Sequence, residues 1–213
     1  MPLRSLQALV AASLLVAASA SAQPTLDDLF RAVDTNNISE VRSLIDRGMD
    51  ANSTNAQGRT LLMQAAWDGH TEMVQLLVDR RARLNVRNPG GETAIMLAAM
   101  RGNLPIVELL YNKGAEINHS GWTPLHYAAW EGKTEVCRFL ISKRADVNAR
   151  APNESTPLMV ASRQGAQEVA RLLLANGANP NLESDRGVTA MQLALKAGNT
   201  DIAEMLKKAG ATR

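Results

Sequence analysis

Thr123-Pro124-Leu125-His126-Tyr127-Ala128-Ala129 is the stretch on which the fold turns, because its parts recur along the 213-residue chain in a fixed register. Threonines at Thr60, Thr93, Thr123, Thr156 and Thr189 follow one another at intervals of 33, 30, 33 and 33 residues. Five residues after each stands an alanine (Ala65, Ala98, Ala128, Ala161, Ala194), and nine after it a glycine (Gly69, Gly102, Gly132, Gly165, Gly198). A leucine follows at seventeen (Leu77, Leu110, Leu140, Leu173, Leu206) and a second alanine at twenty-two (Ala82, Ala115, Ala145, Ala178, Ala211). Asparagines at Asn85, Asn118, Asn148 and Asn181 then close the units. Self-similarity at this period is the mark of a repeat architecture.

Within each unit the apolar residues are spaced as on two short amphipathic helices, with the glycine as the hinge between them. Thr123-Pro124 and Thr156-Pro157 set a capping hydroxyl before a proline at the first helical position, where the missing N–H costs nothing. Glu72, Glu135, Glu168 and Asp201 fall in the first turn of the second helix, at the positive end of its dipole. The alanines let neighbouring helices approach and the leucines fill the space between pairs. One pair cannot bury its apolar face alone, so stacking is obligatory.

The first 22 residues read differently. Arg4 is the one charge, an apolar run extends from Leu6 to Ala18, and Ala20-Ser21-Ala22 offers a small-residue cleavage site. This is the pattern of a secretory signal peptide cut before Gln23. The run of about 13 apolar residues is shorter than the roughly 20 that a membrane anchor needs. Without Arg4 the 23 basic residues become 22 against 21 acidic ones, a net charge of +1, which argues against nucleic acid as a partner. The single cysteine, Cys137, leaves no intramolecular disulfide, so stability must come from packing.

Thr123-Pro124-Leu125-His126-Tyr127-Ala128-Ala129 and Gly177-Ala178-Asn179-Pro180-Asn181 resemble the ankyrin-repeat signatures T-P-L-H-x-A-A and G-A-D-x-N, and exported bacterial ankyrin-repeat proteins in particular. The resemblance covers residues 24–213, including a degenerate first unit in which Asp27 stands where the others have threonine. It implies an all-α ankyrin-repeat solenoid of about six helix-turn-helix repeats (about 24–56, 57–89, 90–119, 120–152, 153–185 and 186–213) joined by β-turn loops. Charges at Asp27, Asp28 and Arg31 at one end, and at Lys207 and Lys208 at the other, suit terminal caps. Two departures stand out. Arg81 and Arg144 occupy the usual glycine position after the second helix, where a left-handed backbone is expected, and three residues are missing between Asn118 and Thr123.

Chemistry finds no foothold in this register. By the resemblance His126 hydrogen-bonds between turns and His70 has a similar structural role, while His119 in the short loop is expected to be solvated. No two histidines share a helical face at metal-ligand spacing. Cys137 aligns with Val74, Val107, Ala170 and Ala203 and reads as a buried, inert thiol. No catalytic residue, metal or cofactor is expected.

The resemblance does imply a contact surface on the concave face, just before each threonine and seven or eight residues after it. Those positions hold Arg59, Trp67, Met100, Arg101, Trp122, Trp130, Arg163 and Lys196, with Tyr127 beside them, and they include all three tryptophans. Tryptophan and arginine dominate binding hot spots. The series predicts an apolar half centred on the tryptophans, a basic half at Arg163 and Lys196, and a partner with an apolar patch beside acidic groups. The expected function is that of an exported, periplasmic, monomeric and non-catalytic scaffold for another protein. The alternative is an inhibitor, immunity-type protein or accessory factor of an exported enzyme.

Overall fold

A computed structural model describes residues 23–212, so the predicted signal peptide lies outside the described residues. Among the described residues twelve helices follow one another in six antiparallel pairs: α1 Leu26–Asp34 and α2 Ile38–Asp46, α3 Leu61–Asp68 and α4 Thr71–Asp79, α5 Ala94–Arg101 and α6 Leu104–Asn112, α7 Pro124–Trp130 and α8 Thr134–Ser142, α9 Pro157–Gln164 and α10 Gln167–Ala175, α11 Ala190–Lys196 and α12 Thr200–Lys208. First helices pack on first helices and second on second, giving two layers that run the length of the stack.

Three of the threonine hydroxyls cap as predicted, those of Thr60, Thr156 and Thr189 accepting the N–H three residues on, whereas those of Thr93 and Thr123 make no capping hydrogen bond and the Thr123 hydroxyl lies 2.9 Å from His126 Nδ1 instead. Thr60, Thr93, Thr123, Thr156 and Thr189 are the N-caps of the first helices, each with an extended backbone and each almost wholly buried. Gly69 then ends α3 in the left-handed conformation at φ +82°, which turns the chain into α4. In the first unit Asp27 does not take the threonine's place. Thr25, two residues earlier, caps α1 and forms a reciprocal capping box with Asp28, because its hydroxyl accepts from the Asp28 N–H while the Asp28 carboxylate accepts from the Thr25 N–H. Asn36 serves as the hinge there, at φ +53°.

Leu77, Leu110, Leu140, Leu173 and Leu206 are fully buried, as are Ala65, Ala98, Ala128, Ala161 and Ala194, in one continuous core from Leu29 to Leu206. Each such leucine contributes about 2 kcal/mol through the apolar area it removes from water.

Hydrogen bonds complete the stacking. The Oδ1 atoms of Asn52, Asn85, Asn118, Asn148 and Asn181 accept the backbone N–H of Arg83, Glu116, Asp146, Asn179 and Thr212, each in the following repeat, at 2.8–3.0 Å. The amides of Asn118, Asn148 and Asn181 donate to the carbonyls of Arg144, Gly177 and Gly210. This gives the periodic asparagines a physical reason. His70 makes its expected link between repeats, to the carbonyl of Asp34 at 3.3 Å.

The loops between repeats form fingers, each closed by two backbone hydrogen bonds: the N–H groups of Asn55, Asn88, Ala151 and Ser184 donate to the carbonyls of Arg59, Glu92, Ser155 and Val188, and the carbonyls of the same four residues accept from Gly58, Gly91, Glu154 and Gly187. Between ladder asparagine and capping threonine these loops have seven residues, but only four, 119–122, separate Asn118 from Thr123. Neither finger-closing bond forms there among the described residues, so the row of fingers has a notch at its middle. His119 is not simply solvated. It is half-buried in the short loop, with Nδ1 at 3.1 Å from the Ser120 carbonyl and Nε2 buried without a partner.

Candidate interaction surface

The candidate contact residues sit on the first helices and the fingers, where the repeat register places them on one side of the stack. Trp67, Met100, Trp130, Arg163 and Lys196 occupy equivalent positions at the ends of α3, α5, α7, α9 and α11. Trp67 and Met100 are half-buried, Trp130 is 38% exposed, and Arg163 and Lys196 are exposed. The stripe therefore opens to solvent toward the C-terminal repeats.

Trp122, Trp130, Arg163 and Lys196 line one cleft of about 750 Å³, floored by Met159, Val160 and Leu193 and walled by the tips of the last two fingers. Trp122 rises from the notch and meets the rings of His126, Tyr127 and Trp130 edge to face, at centroid distances of 5.3, 6.0 and 6.3 Å. The Arg163 guanidinium lies 5.7 Å from the Trp130 ring. Trp67 lies apart, lining a shallower depression with Arg101, and its indole has the guanidinium groups of Arg59 and Arg101 at 5.4 and 5.0 Å. The expected split into an apolar and a basic half does not hold. Aromatic and basic groups interleave, because stacking on an indole face holds a guanidinium beside it.

Tyr127 is half-buried with its hydroxyl at the Glu92 carboxylate. Burial first, and then that negative charge, push its pKa up to about 12. It is thus engaged within the array. The apolar floor was not singled out from the sequence, since Met159, Val160 and Leu193 read as ordinary core positions; they line the cleft together with residues of the last two fingers.

Cys137 is fully buried and its thiol is pushed up to about 12 by desolvation, which leaves no thiolate for nucleophilic work near neutral pH. Among the described residues no group of histidine, cysteine and carboxylate side chains is placed to hold a metal ion, and no helix is long and apolar enough to cross a membrane.

Family models described as ankyrin repeats match residues 81–151, 146–212 and 44–95. No curated protein matches the sequence. Among solved structures, the ankyrin repeat domain of human ASB11 superposes with a TM-score of 0.79 at 23% identity, covering 86% of this chain and 84% of that chain. A chain in the structure of the predatory endopeptidase Bd0816 from Bdellovibrio bacteriovorus, in complex with the immunity protein Bd3460, superposes with a TM-score of 0.74 at 28% identity, covering 84% of this chain and 96% of that chain.

Proposed function

The chain belongs to the ankyrin-repeat family, whose arrays serve as protein-protein interaction scaffolds, and from that premise we propose that it is an exported, non-catalytic binder that grips a partner protein on its concave face. The observation that carries this reading is the cleft shared by Trp122, Trp130, Arg163 and Lys196, where large rigid rings stand next to cations at the solvent boundary. The pattern of the first 22 residues supports export to the periplasm, and the near balance of charge supports a protein rather than nucleic acid as partner.

A second reading, an immunity-type protein or inhibitor of an exported enzyme, draws support from the likeness to a chain of the endopeptidase–immunity complex. Both readings use the same face. Cross-linking capture from periplasm with the mature chain, beside Trp130→Ala, is expected to recover a partner that the variant loses. The same proteins recovered equally by both baits would remove the assignment. Adding the mature chain to periplasmic peptidases separates the two readings, since an inhibitor lowers turnover and a scaffold leaves it unchanged.

A further inference from the structure

The missing finger changes what the cleft admits. Loops 149–155 and 182–188 wall its C-terminal part, whereas at 119–122 the wall falls away and Trp122 stands at the opening. The short loop leans on the next finger instead, with Gly121 beside the Pro152 ring, and His126 pins that finger by donating from Nε2 to the Ser155 carbonyl at 3.0 Å. The notch is thus a built opening with a fixed rim.

The charges of the cleft are distributed unevenly. Its lining includes three cations, Arg163, Arg186 and Lys196, against one carboxylate, Asp185. Six ion pairs occur among the described residues, and none involves a side chain of the cleft. They tie Arg31 to Asp28, Arg80 to Asp46, Lys113 to Asp79, Arg138 to Glu135, Arg150 to Glu154 and Arg171 to Glu168. Cations that outnumber the one carboxylate of the lining and form no ion pair among the described residues, set over an apolar floor, are complementary to an acidic ligand that also carries an apolar anchor.

We infer that the cleft is entered through the notch at Trp122 by an extended, acidic segment of a partner protein, its apolar side chain seated against Trp122, Trp130 and Leu193 and its carboxylates meeting Arg163 and Lys196. This rests on the proposed binding role of the concave face and adds the chemistry of the occupant and its way in. The floor takes one large side chain, the cations at the rim set its flank, and the absent finger leaves room for the backbone to cross.

Panning a random peptide library against the mature chain supplies the probe. Peptides rich in Asp and Glu beside an aromatic or large aliphatic residue are expected. Their affinity should fall about tenfold or more on Arg163→Glu with Lys196→Glu, and should weaken with added salt. Both side chains are exposed, so the fold should persist, as circular dichroism would verify. A second variant extends loop 119–122 by three residues to the length of its neighbours; it should close the notch and weaken the same peptides. Enrichment of basic or uncharged peptides, or unchanged affinity in the charge-reversed or loop-extended chain, would overturn the inference. Peptides released by Trp130→Ala but indifferent to charge reversal would leave the binding face standing and remove the acidic occupant. Concentration-dependent dimerisation abolished by Trp130→Ala would give the cleft to a second copy and overturn the inference too, and peptides that ignore both sets of variants would remove the face as well.

Discussion

His126 donates its Nε2 proton to the carbonyl of Ser155, 29 residues further along the chain, at 3.0 Å. The geometry settles its tautomer, since Nδ1 accepts from the Thr123 N–H at 3.2 Å. The ring is fully buried, and desolvation pushes its pKa down to about 4 although the Ser155 carbonyl works the other way. An imidazole kept neutral in the folded state, but free to take a proton when unfolded, leaves stability intact above its ordinary pKa of about 6.5. Stability is then lost as pH falls toward about 4, by on the order of 3 kcal/mol. Urea unfolding at a series of pH values should show this slope, and His126→Gln should flatten it. A variant with the same slope would assign the acid sensitivity to other groups.

The fold was legible because its signals are local and repeated. A threonine before each first helix, a glycine after it and leucines on the second fix the helix pairs without reference to anything distant. The ladder asparagines were visible as a period, but their role was not, because each bonds a backbone N–H some 30 residues away: Asn148 to Asn179, for example. Asp27 misled for a related reason. Register places it at the threonine position, yet the helix starts where a hydroxyl and a carboxylate three residues apart can cap each other, at Thr25 and Asp28. At the surface, the sequence located the side chains and missed their grouping. That Trp122 and Trp130 share a cleft with Arg163, while Trp67 is held between Arg59 and Arg101, depends on which guanidinium stacks on which ring.

Arg81 and Arg144 adopt φ +63° and +64°, in line with the left-handed Gly114, Gly177 and Gly210 at the same step of other repeats. A side chain there costs about 1 kcal/mol relative to glycine, partly offset by the greater freedom glycine has when unfolded. Arg81→Gly and Arg144→Gly should each stabilise the array by about 0.5 kcal/mol, and together raise its melting temperature by a few degrees. A lower melting temperature would mean that the arginine side chains make compensating contacts.

Ser162 is fully buried and its hydroxyl has no hydrogen-bond partner, although the equivalent positions in three other repeats, Ala66, Ala99 and Ala129, show that a methyl fits. Removing an unsatisfied buried hydroxyl recovers its desolvation cost while creating almost no cavity. Ser162→Ala should therefore stabilise by about 1 kcal/mol. Denaturant unfolding measures this directly, and a loss of stability would reveal a partner for the hydroxyl in solution.

The two tryptophans of the cleft should separate in their effect on stability. Trp130 is 38% exposed and its ring partners are Trp122 and Arg163, so Trp130→Ala should cost less than about 1 kcal/mol. Trp122 is half-buried and touches three rings, among them that of the buried His126. Trp122→Ala should cost about 2 to 3 kcal/mol through lost packing. It should also let water nearer the imidazole, raise the His126 pKa toward its ordinary value and shrink the acid-side loss of stability. Combining the two replacements should reveal a coupling of about 0.5 kcal/mol, the worth of the edge-to-face pair. Equal and small costs for both, with the acid slope unmoved by Trp122→Ala, would place Trp122 on the surface and leave His126 shielded by the helices alone.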